Sequence, residues 1–166
     1  NKNDASGPGS IREIVTKNEY ILDQFKNIKN GSIIDIGANY GVATIILAKQ
    51  NPESIIYTFE PDPDVYIFLV KNIHENGLTN VKPFNEAVSK KGINNITLHK
   101  HPLFSGGNTT YSNIDLMEKH FKNNIKTVSI KCTSLDEIVD KNNIKSIDLL
   151  KIDCEGAEFD IIYGSE

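Results

Sequence analysis

The stretch SIIDIGANYGVATIILAK, Ser32 to Lys49, gives the strongest indication of the fold. It opens with an apolar run interrupted by Asp35, passes through a turn bracketed by Gly37 and Gly41, and then carries apolar residues at helical spacing. That order predicts a buried strand, a tight turn and an amphipathic helix. Ligands of open parallel sheets bind beyond the carboxyl ends of such strands, where glycines let a ligand approach the backbone closely. The stretch therefore predicts a site for a nucleotide-like cofactor.

Strand and helix patterns alternate through the rest of the chain. The predicted strands cover residues 32–36, 54–59, 81–84, 96–98, 127–132 and 146–152. The predicted helices cover residues 11–29, 41–50, 62–76 and 158–163, with a short one from Leu135 after a capping box. The alternation predicts a single α/β domain over residues 11–166, with a mostly parallel sheet and a polar insert at about 89–124. Residues 1–10 are expected to be a flexible leader or a non-native remnant.

Composition argues against several classes of protein. The formal net charge is −4, the lysines are scattered and Arg12 is the one arginine, which argues against a nucleic-acid-binding surface. No apolar run reaches the length of a membrane span. Cys132 and Cys154 do not suggest a disulfide framework, so a reducing, cytoplasmic setting is predicted.

Four acids stand at or just after the ends of predicted strands: Asp35, Glu60, Glu86 and Asp153. Right-handed crossovers bring the carboxyl ends of parallel strands to one edge of the sheet, so we expect these acids to lie close together. Glu60, at the end of the second strand, can accept both hydroxyls of a ribose. That role serves any adenosine ligand, so Glu60 alone does not choose between cofactors.

The glycine turn does distinguish between cofactors. A dinucleotide fingerprint needs glycine at positions 37, 39 and 42, but Asn39 and Val42 occupy the last two of these. Asp35, just upstream, is unfavourable beside a pyrophosphate and suits an ammonium or a sulfonium. The turn therefore disfavours a nucleotide-dependent oxidoreductase, which is kept as the less favoured alternative.

Five motifs together resemble the FkbM family of S-adenosylmethionine-dependent methyltransferases. They are DIGANYG, FEPDP, NEAVS, TSLDEIV and LLKIDCEGAEFDII, and the resemblance runs from about Ser32 to Tyr163. The resemblance implies a Rossmann-like class I methyltransferase fold, S-adenosyl-L-methionine as cofactor, and O-methylation of a hydroxyl on a small molecule or glycan. The family's fold continues past the strand before Asp153, so the last strands are expected to be missing here or the chain to be a minimal version. A non-catalytic domain that binds the cofactor is the alternative.

The predicted site residues follow from these motifs. The cofactor-binding set is Asp35, Gly37, Ala38, Asn39, Gly41, Glu60, Pro61, Asn85, Glu86, Ala87 and Asp153. The catalytic candidates are Asp153, whose favoured role is to bind the cofactor's ammonium rather than act as base, and His101 as a second possible base. His99 and His101 would share a strand face, but no third ligand stands at a diagnostic spacing, so no metal site is predicted. The polar insert is expected to be a mobile lid or an acceptor-binding segment.

Overall fold

The computed structural model describes residues 12–17, 20–103, 105–110 and 125–165. Within them the chain forms seven strands and four α-helices. The strands are β1 (Ser32–Ile36), β2 (Ile55–Phe59), β3 (Val81–Phe84), β4 (Ala87–Ser89), β5 (Asn95–Lys100), β6 (Lys126–Ser134) and β7 (Leu149–Ile152). The helices are α1 (Val42–Gln50), α2 (Pro63–Glu75), α3 (Leu135–Asn142) and α4 (Glu158–Tyr163).

The main sheet has four parallel strands in the order β3-β2-β1-β7. Successive side chains of a strand point to opposite faces, so β1 divides its residues between two cores. Ile34 and Ile36 pack with apolar residues of α3 and α4 on one face. Ile33 packs with Leu47 of α1 on the other face. This parallel sheet with helices on both faces confirms the predicted α/β, Rossmann-like fold class.

A second, three-stranded sheet in the order β4-β6-β5 stands beside the first. β4 pairs with β6 in parallel, and β5 pairs with β6 antiparallel. β5 lies in the polar insert, so part of that segment is built into regular structure. At the end of β6 the Ser134 hydroxyl accepts the Glu137 backbone N–H at 3.3 Å, so Ser134 is the N-cap of α3, which is one half of the predicted capping box. The Glu137 carboxylate accepts the hydroxyl of Thr133 at 2.9 Å. Phe104 and residues 111–124 of the insert lie outside the described residues.

The prediction of one long helix over residues 11–29 is wrong. The described part of that segment holds a short π-helical turn at Arg12–Thr16 and a 3₁₀ turn at Leu22–Gln24. Ile21 and Asn27 adopt left-handed backbone angles, with φ of 52° and 64°, and such residues do not continue a right-handed helix. The other predicted elements are present with ends shifted by a few residues, the largest shift being the later start of β7. None of the helices in the described part of the chain has the length and hydropathy needed to cross a membrane.

Candidate functional site

A cleft opens at the carboxyl ends of β1, β2 and β7. Seven residues of the predicted cofactor-binding set line it: Gly37, Asn39, Glu60, Pro61, Glu86, Ala87 and Asp153. Four others of that set, Asp35, Ala38, Gly41 and Asn85, are not among its lining residues, nor is His101. The insert also contributes to the cleft, through residues 105–110, which are called the insert wall below.

Close approach of the backbone requires glycine at the turn after β1. Gly37 has φ +78°, and a Cβ placed on it would stand 1.8 Å from the carbonyl oxygen of Asp153. The N–H groups of Gly37 and Ala38 both donate to the carbonyl of Phe59 at 3.0 Å. Gly41 has φ +84°, and its Cβ would stand 2.5 Å from Cδ1 of Leu69 on α2. The turn is therefore packed against both the loop after β7 and α2, and no larger residue fits it without displacing one of them.

Glu60 is buried at the end of β2, with 7% of its surface exposed. Its Oε2 accepts the backbone N–H of Asn39 at 2.8 Å, and its Oε1 accepts that of Asp62 at 2.8 Å. Burial raises the pKa of the Glu60 carboxyl to about 7, although the two backbone N–H donors favour its ionised form. Each oxygen of a carboxylate can accept about two hydrogen bonds, so both can still accept a hydroxyl from the cleft.

Asp35 lies on β1 beneath the cleft and is fully buried. Its Oδ1 is 2.9 Å from the ammonium of Lys151, its cross-strand neighbour on β7. Its Oδ2 accepts the hydroxyl of Thr44 at 2.6 Å. The positive charge beside Asp35 is therefore supplied by the protein itself. Lys151 also donates to the carbonyl of Gly37 at 3.4 Å, so this buried ion pair supports the glycine turn from below.

Asp153 directly follows β7 and contacts a residue far away in the sequence. Its backbone N–H donates to the carbonyl of Ile36 at 3.0 Å, which extends the β1–β7 ladder by one residue. The hydroxyl of Tyr20 donates to Asp153 Oδ2. The Lys151 ammonium lies 4.9 Å from the centroid of the Tyr20 ring. Sequence reasoning missed Tyr20, since nothing in its local sequence points to a partner 133 positions away.

The insert wall is anchored on the N-terminus of α2. Asn108 donates from Nδ2 to Asp62 Oδ2 at 2.7 Å and accepts the backbone N–H of His101 at 2.8 Å. Lys100 pairs with Asp62 Oδ1 at 2.8 Å and with Asp64 Oδ2 at 2.5 Å. Asp62 is 1% exposed and also caps α2 by accepting the N–H of Asp64 at 2.9 Å. One buried carboxylate thus joins the helix that follows Glu60 to the insert.

The loop after β7 forms the facing side of the cleft. The Thr109 hydroxyl donates to the carbonyl of Glu155 at 2.6 Å, so this loop touches the insert wall. Glu155 lines the cleft and has φ of 55°, an uncommon conformation for a non-glycine residue. Burial, Asp153 and Glu158 raise the pKa of Glu155. Glu158 accepts the N–H groups of Cys154 and Gly156 at 3.0 and 2.9 Å, so it stabilises the loop at the start of α4.

Asn85 and His101, two further predicted residues outside the lining of the cleft, make hydrogen bonds with neighbouring backbone groups. Asn85 donates to the carbonyls of Glu60 and Pro61 at 2.8 and 3.0 Å, which fixes the segment after β2. The ring of His101 accepts the N–H of Leu103 at 3.2 Å, and burial lowers its pKa. Within the described residues, no group of three or more His, Cys, Asp or Glu side chains is arranged to hold a metal ion.

Comparison with known proteins identifies relatives of the chain. A family model described as the methyltransferase FkbM domain matches residues 35–166. Methyltransferase 1 of Beauveria bassiana is 26% identical over 80% of this chain and 57% of its own length. The 2-O-methyltransferase NoeI of Sinorhizobium fredii is 26% identical over 81% and 57%. The hexuronic acid methyltransferase AglP of Haloferax volcanii is 26% identical over 78% and 48%. The chain thus spans about half the length of these curated relatives.

Proposed function

The chain belongs to the FkbM methyltransferase domain family, and on that premise we propose that it binds S-adenosylmethionine and methylates a hydroxyl of a small molecule or glycan. The observation that carries this proposal is the convergence of Gly37, Glu60 and Asp153 on one cleft at the carboxyl edge of a parallel sheet. Ligands of open α/β sheets bind at that edge. A cytoplasmic location stays a prediction.

The residues of the cleft fit the chemical groups of this cofactor. Glycine at position 37 lets the turn after β1 pack directly against the Asp153 backbone, which brings this acid next to the turn. Glu60, with both oxygens already held by backbone N–H donors, is placed to accept the two ribose hydroxyls. Glu86 and Ala87 follow β3 beside Val88 and are assigned to the adenine side. When bound, the cofactor supplies a methyl group activated on a sulfonium.

Asp153, the acid that follows β7, is proposed to contact the cofactor's methionine part and the acceptor. Asp153 carries negative charge next to the glycine turn, where it is suited to hold the cofactor's ammonium. Since Asp153 lines the cleft and His101 does not, Asp153 is also the better placed of the two candidate bases. Asp35, Ala38, Gly41 and Asn85 are proposed to act from outside the cleft, by holding the turn and the segment after β2. Methyl transfer depends mainly on alignment and exclusion of water, which these residues support.

An oxygen acceptor is favoured by the names of two relatives. NoeI is named for 2-O-methylation and AglP for methylation of a hexuronic acid. The cleft has polar donors and acceptors on its insert wall, where Ser105, Asn108 and Thr110 contribute. Those groups suit recognition of hydroxyls through neutral hydrogen bonds.

Calorimetry with S-adenosylhomocysteine and with NAD tests the cofactor. We expect binding of the first and none of the second, and binding of NAD alone would support an oxidoreductase instead. Glu60→Ala removes charge-assisted hydrogen bonds worth about 1.5–3 kcal/mol, so affinity for S-adenosylhomocysteine should fall at least tenfold. Unchanged affinity would refute the ribose assignment.

Transfer of labelled methyl from S-adenosylmethionine to a panel of hydroxyl acceptors tests the reaction. The expected product carries the labelled methyl group on an oxygen of the acceptor. Labelled methyl found solely on nitrogen or carbon would refute O-methylation. Asp153→Asn separates the two roles of Asp153, because loss of an ammonium contact lowers cofactor affinity, whereas loss of a base lowers turnover with affinity nearly kept. Cofactor binding without any transfer by the full-length protein would support a non-catalytic binding domain.

A further inference from the structure

The charged residues that line the cleft are acidic. Among its described lining residues are four acids, Glu60, Glu86, Asp153 and Glu155, and no lysine, arginine or histidine. Lys131 pairs with one of these acids, Glu86. S-adenosylmethionine has one ammonium, one sulfonium and one carboxylate, and its net charge of +1 does not neutralise the other three acids. A second ligand in the same cleft therefore enters a field that is negative overall.

Three lysines that contact the cleft residues or their neighbours are paired with acids. Lys151 pairs with the buried Asp35 beneath the cleft. Lys131 pairs with Glu86, and this compensates one of the four lining acids. Lys100 pairs with Asp62 and Asp64, outside the lining. Recruiting any of these ammonium groups for an anionic acceptor breaks an existing ion pair.

The lining acids differ in their neighbours and in their assigned roles. Glu60 and Asp153 are assigned to the cofactor by the proposed function. Glu155 lies in the loop after β7 and is joined to the insert wall by the hydrogen bond from Thr109. The insert wall lines the cleft with Ser105, Gly106, Asn108 and Thr110, none of which is charged. Glu155 and the insert wall thus contribute one carboxylate and a set of neutral hydrogen-bonding groups to the lining.

The backbone and the electrostatics of Glu155 both single it out. Its φ of 55° and the φ of 109° at Gly156 hold the loop in a conformation that side-chain-bearing residues rarely adopt, and strain of this kind clusters at functional sites. Burial and the neighbouring carboxylates of Asp153 and Glu158 raise the pKa of Glu155. Further negative charge is therefore unfavourable at this place.

We propose that Glu155 and the insert wall form the acceptor subsite, and that this subsite selects uncharged polyhydroxyl acceptors over acidic ones. The proposal rests on the proposed function and adds the acceptor's charge class to it. The Glu155 carboxylate accepts hydrogen bonds from acceptor hydroxyls, while Asn108 can donate and accept. An acceptor carboxylate near Glu155 meets like charge, and one such pair about 4 Å apart in water costs about fivefold in affinity.

Matched sugar pairs test the selectivity. The protein is saturated with S-adenosylhomocysteine at pH 8, so that the carboxylates are ionised, and titrated with the methyl glycosides of glucose, galactose and mannose and with those of the three corresponding uronic acids. The two members of a pair differ in one group, CH₂OH against carboxylate. We expect at least one neutral glycoside to bind and to slow amide exchange in the insert wall, with its uronic partner at least about fivefold weaker.

Two variants assign the selectivity to one residue. Glu155→Gln should reduce the discrimination within the pair, and Glu155→Lys should reverse it. Glu53, exposed on the turn between α1 and β2, provides the matched control, because Glu53→Lys changes the net charge equally and should leave the preference unaltered.

The outcomes separate this inference from the proposed function. Equal binding within every pair, preference for a uronide, absence of binding by all six sugars, or an unaltered preference in Glu155→Lys each overturns the subsite. A protein that does not bind S-adenosylhomocysteine overturns the proposed function itself, and the subsite with it.

Discussion

Replacing Gly37 by alanine should destabilise the protein far more than one added methyl group usually does. The new Cβ would stand 1.8 Å from the carbonyl oxygen of Asp153 and 2.7 Å from its carbonyl carbon, whereas ordinary contact begins at 3.4 Å. The two backbone segments must therefore separate by roughly 1.6 Å. Neither neighbour is a flexible side-chain end that could turn aside. This separation should lengthen the hydrogen bond from the Asp153 N–H to the carbonyl of Ile36, which is 3.0 Å long.

The magnitude of this effect has two parts. A left-handed φ of +78° costs an alanine about 1–2 kcal/mol relative to glycine. Overpacking against a fixed backbone costs a further 1–3 kcal/mol, roughly. The free energy of unfolding of Gly37→Ala should therefore fall by about 2–5 kcal/mol. Affinity for S-adenosylhomocysteine should fall as well, because the displaced loop carries Asp153.

Gly77→Ala is the matched control. Gly77 ends α2 with φ of +65°, and a Cβ on it would have no neighbour within 4 Å. Its substitution should therefore cost the backbone part alone, about 1–2 kcal/mol. Urea denaturation of the two variants and the wild type gives the difference directly. If Gly37→Ala were no less stable than Gly77→Ala, the reasoning from close packing of the turn would be refuted.

Three further changes probe the residues around the cleft. Affinity for S-adenosylhomocysteine, measured by calorimetry from pH 5 to 8, should rise with pH and level off above about 7. Hydroxyl donors of the ligand favour the ionised Glu60 carboxylate, whose pKa burial raises to about 7. Glu60→Gln should abolish this pH dependence. Tyr20→Phe removes the hydroxyl that donates to Asp153, so it should lower the affinity for S-adenosylhomocysteine several-fold and the free energy of unfolding by about 1 kcal/mol. An affinity equal to that of the wild type would exclude a positioning role for Tyr20. Asp62→Asn keeps a good helix cap but loses the charge that pairs with Lys100. Amide hydrogen exchange in the insert wall should therefore become faster, with little change in the melting temperature. Unchanged exchange in the insert wall would contradict the anchoring by Asp62.

Much of the site could be predicted from the sequence because its signals are local. The glycine turn, the acid at the end of β2 and the acid after β7 each stand next to a short apolar run with clear boundaries. Once the strands are parallel, right-handed crossovers bring their carboxyl ends together without further information. Gly37, Glu60, Glu86 and Asp153 accordingly line one cleft, as the pattern indicates.

Asp35 shows where local pattern is insufficient. A lone acid in an apolar strand suggests a cationic ligand when its neighbours on adjacent strands are unknown. The register of β1 with β7 places Lys151 beside it, and the partner of the acid is then a side chain of the same protein. The N-terminal segment gives a second example, since its apolar residues suggested a helix while left-handed Ile21 and Asn27 break it.

Local sequence signals are enough to predict the α/β architecture, the edge of the sheet where the cleft opens and the acids that end its strands. Strand period, turn glycines and helix caps act over a few neighbouring residues, so each can be recognised without knowing the fold. The packed structure is needed to show which acids pair with lysines, that the Tyr20 hydroxyl donates to Asp153, and that Asp62 anchors the insert wall. These contacts join residues far apart in the chain. Their free energy depends on distance and burial, which exist only after the elements have packed.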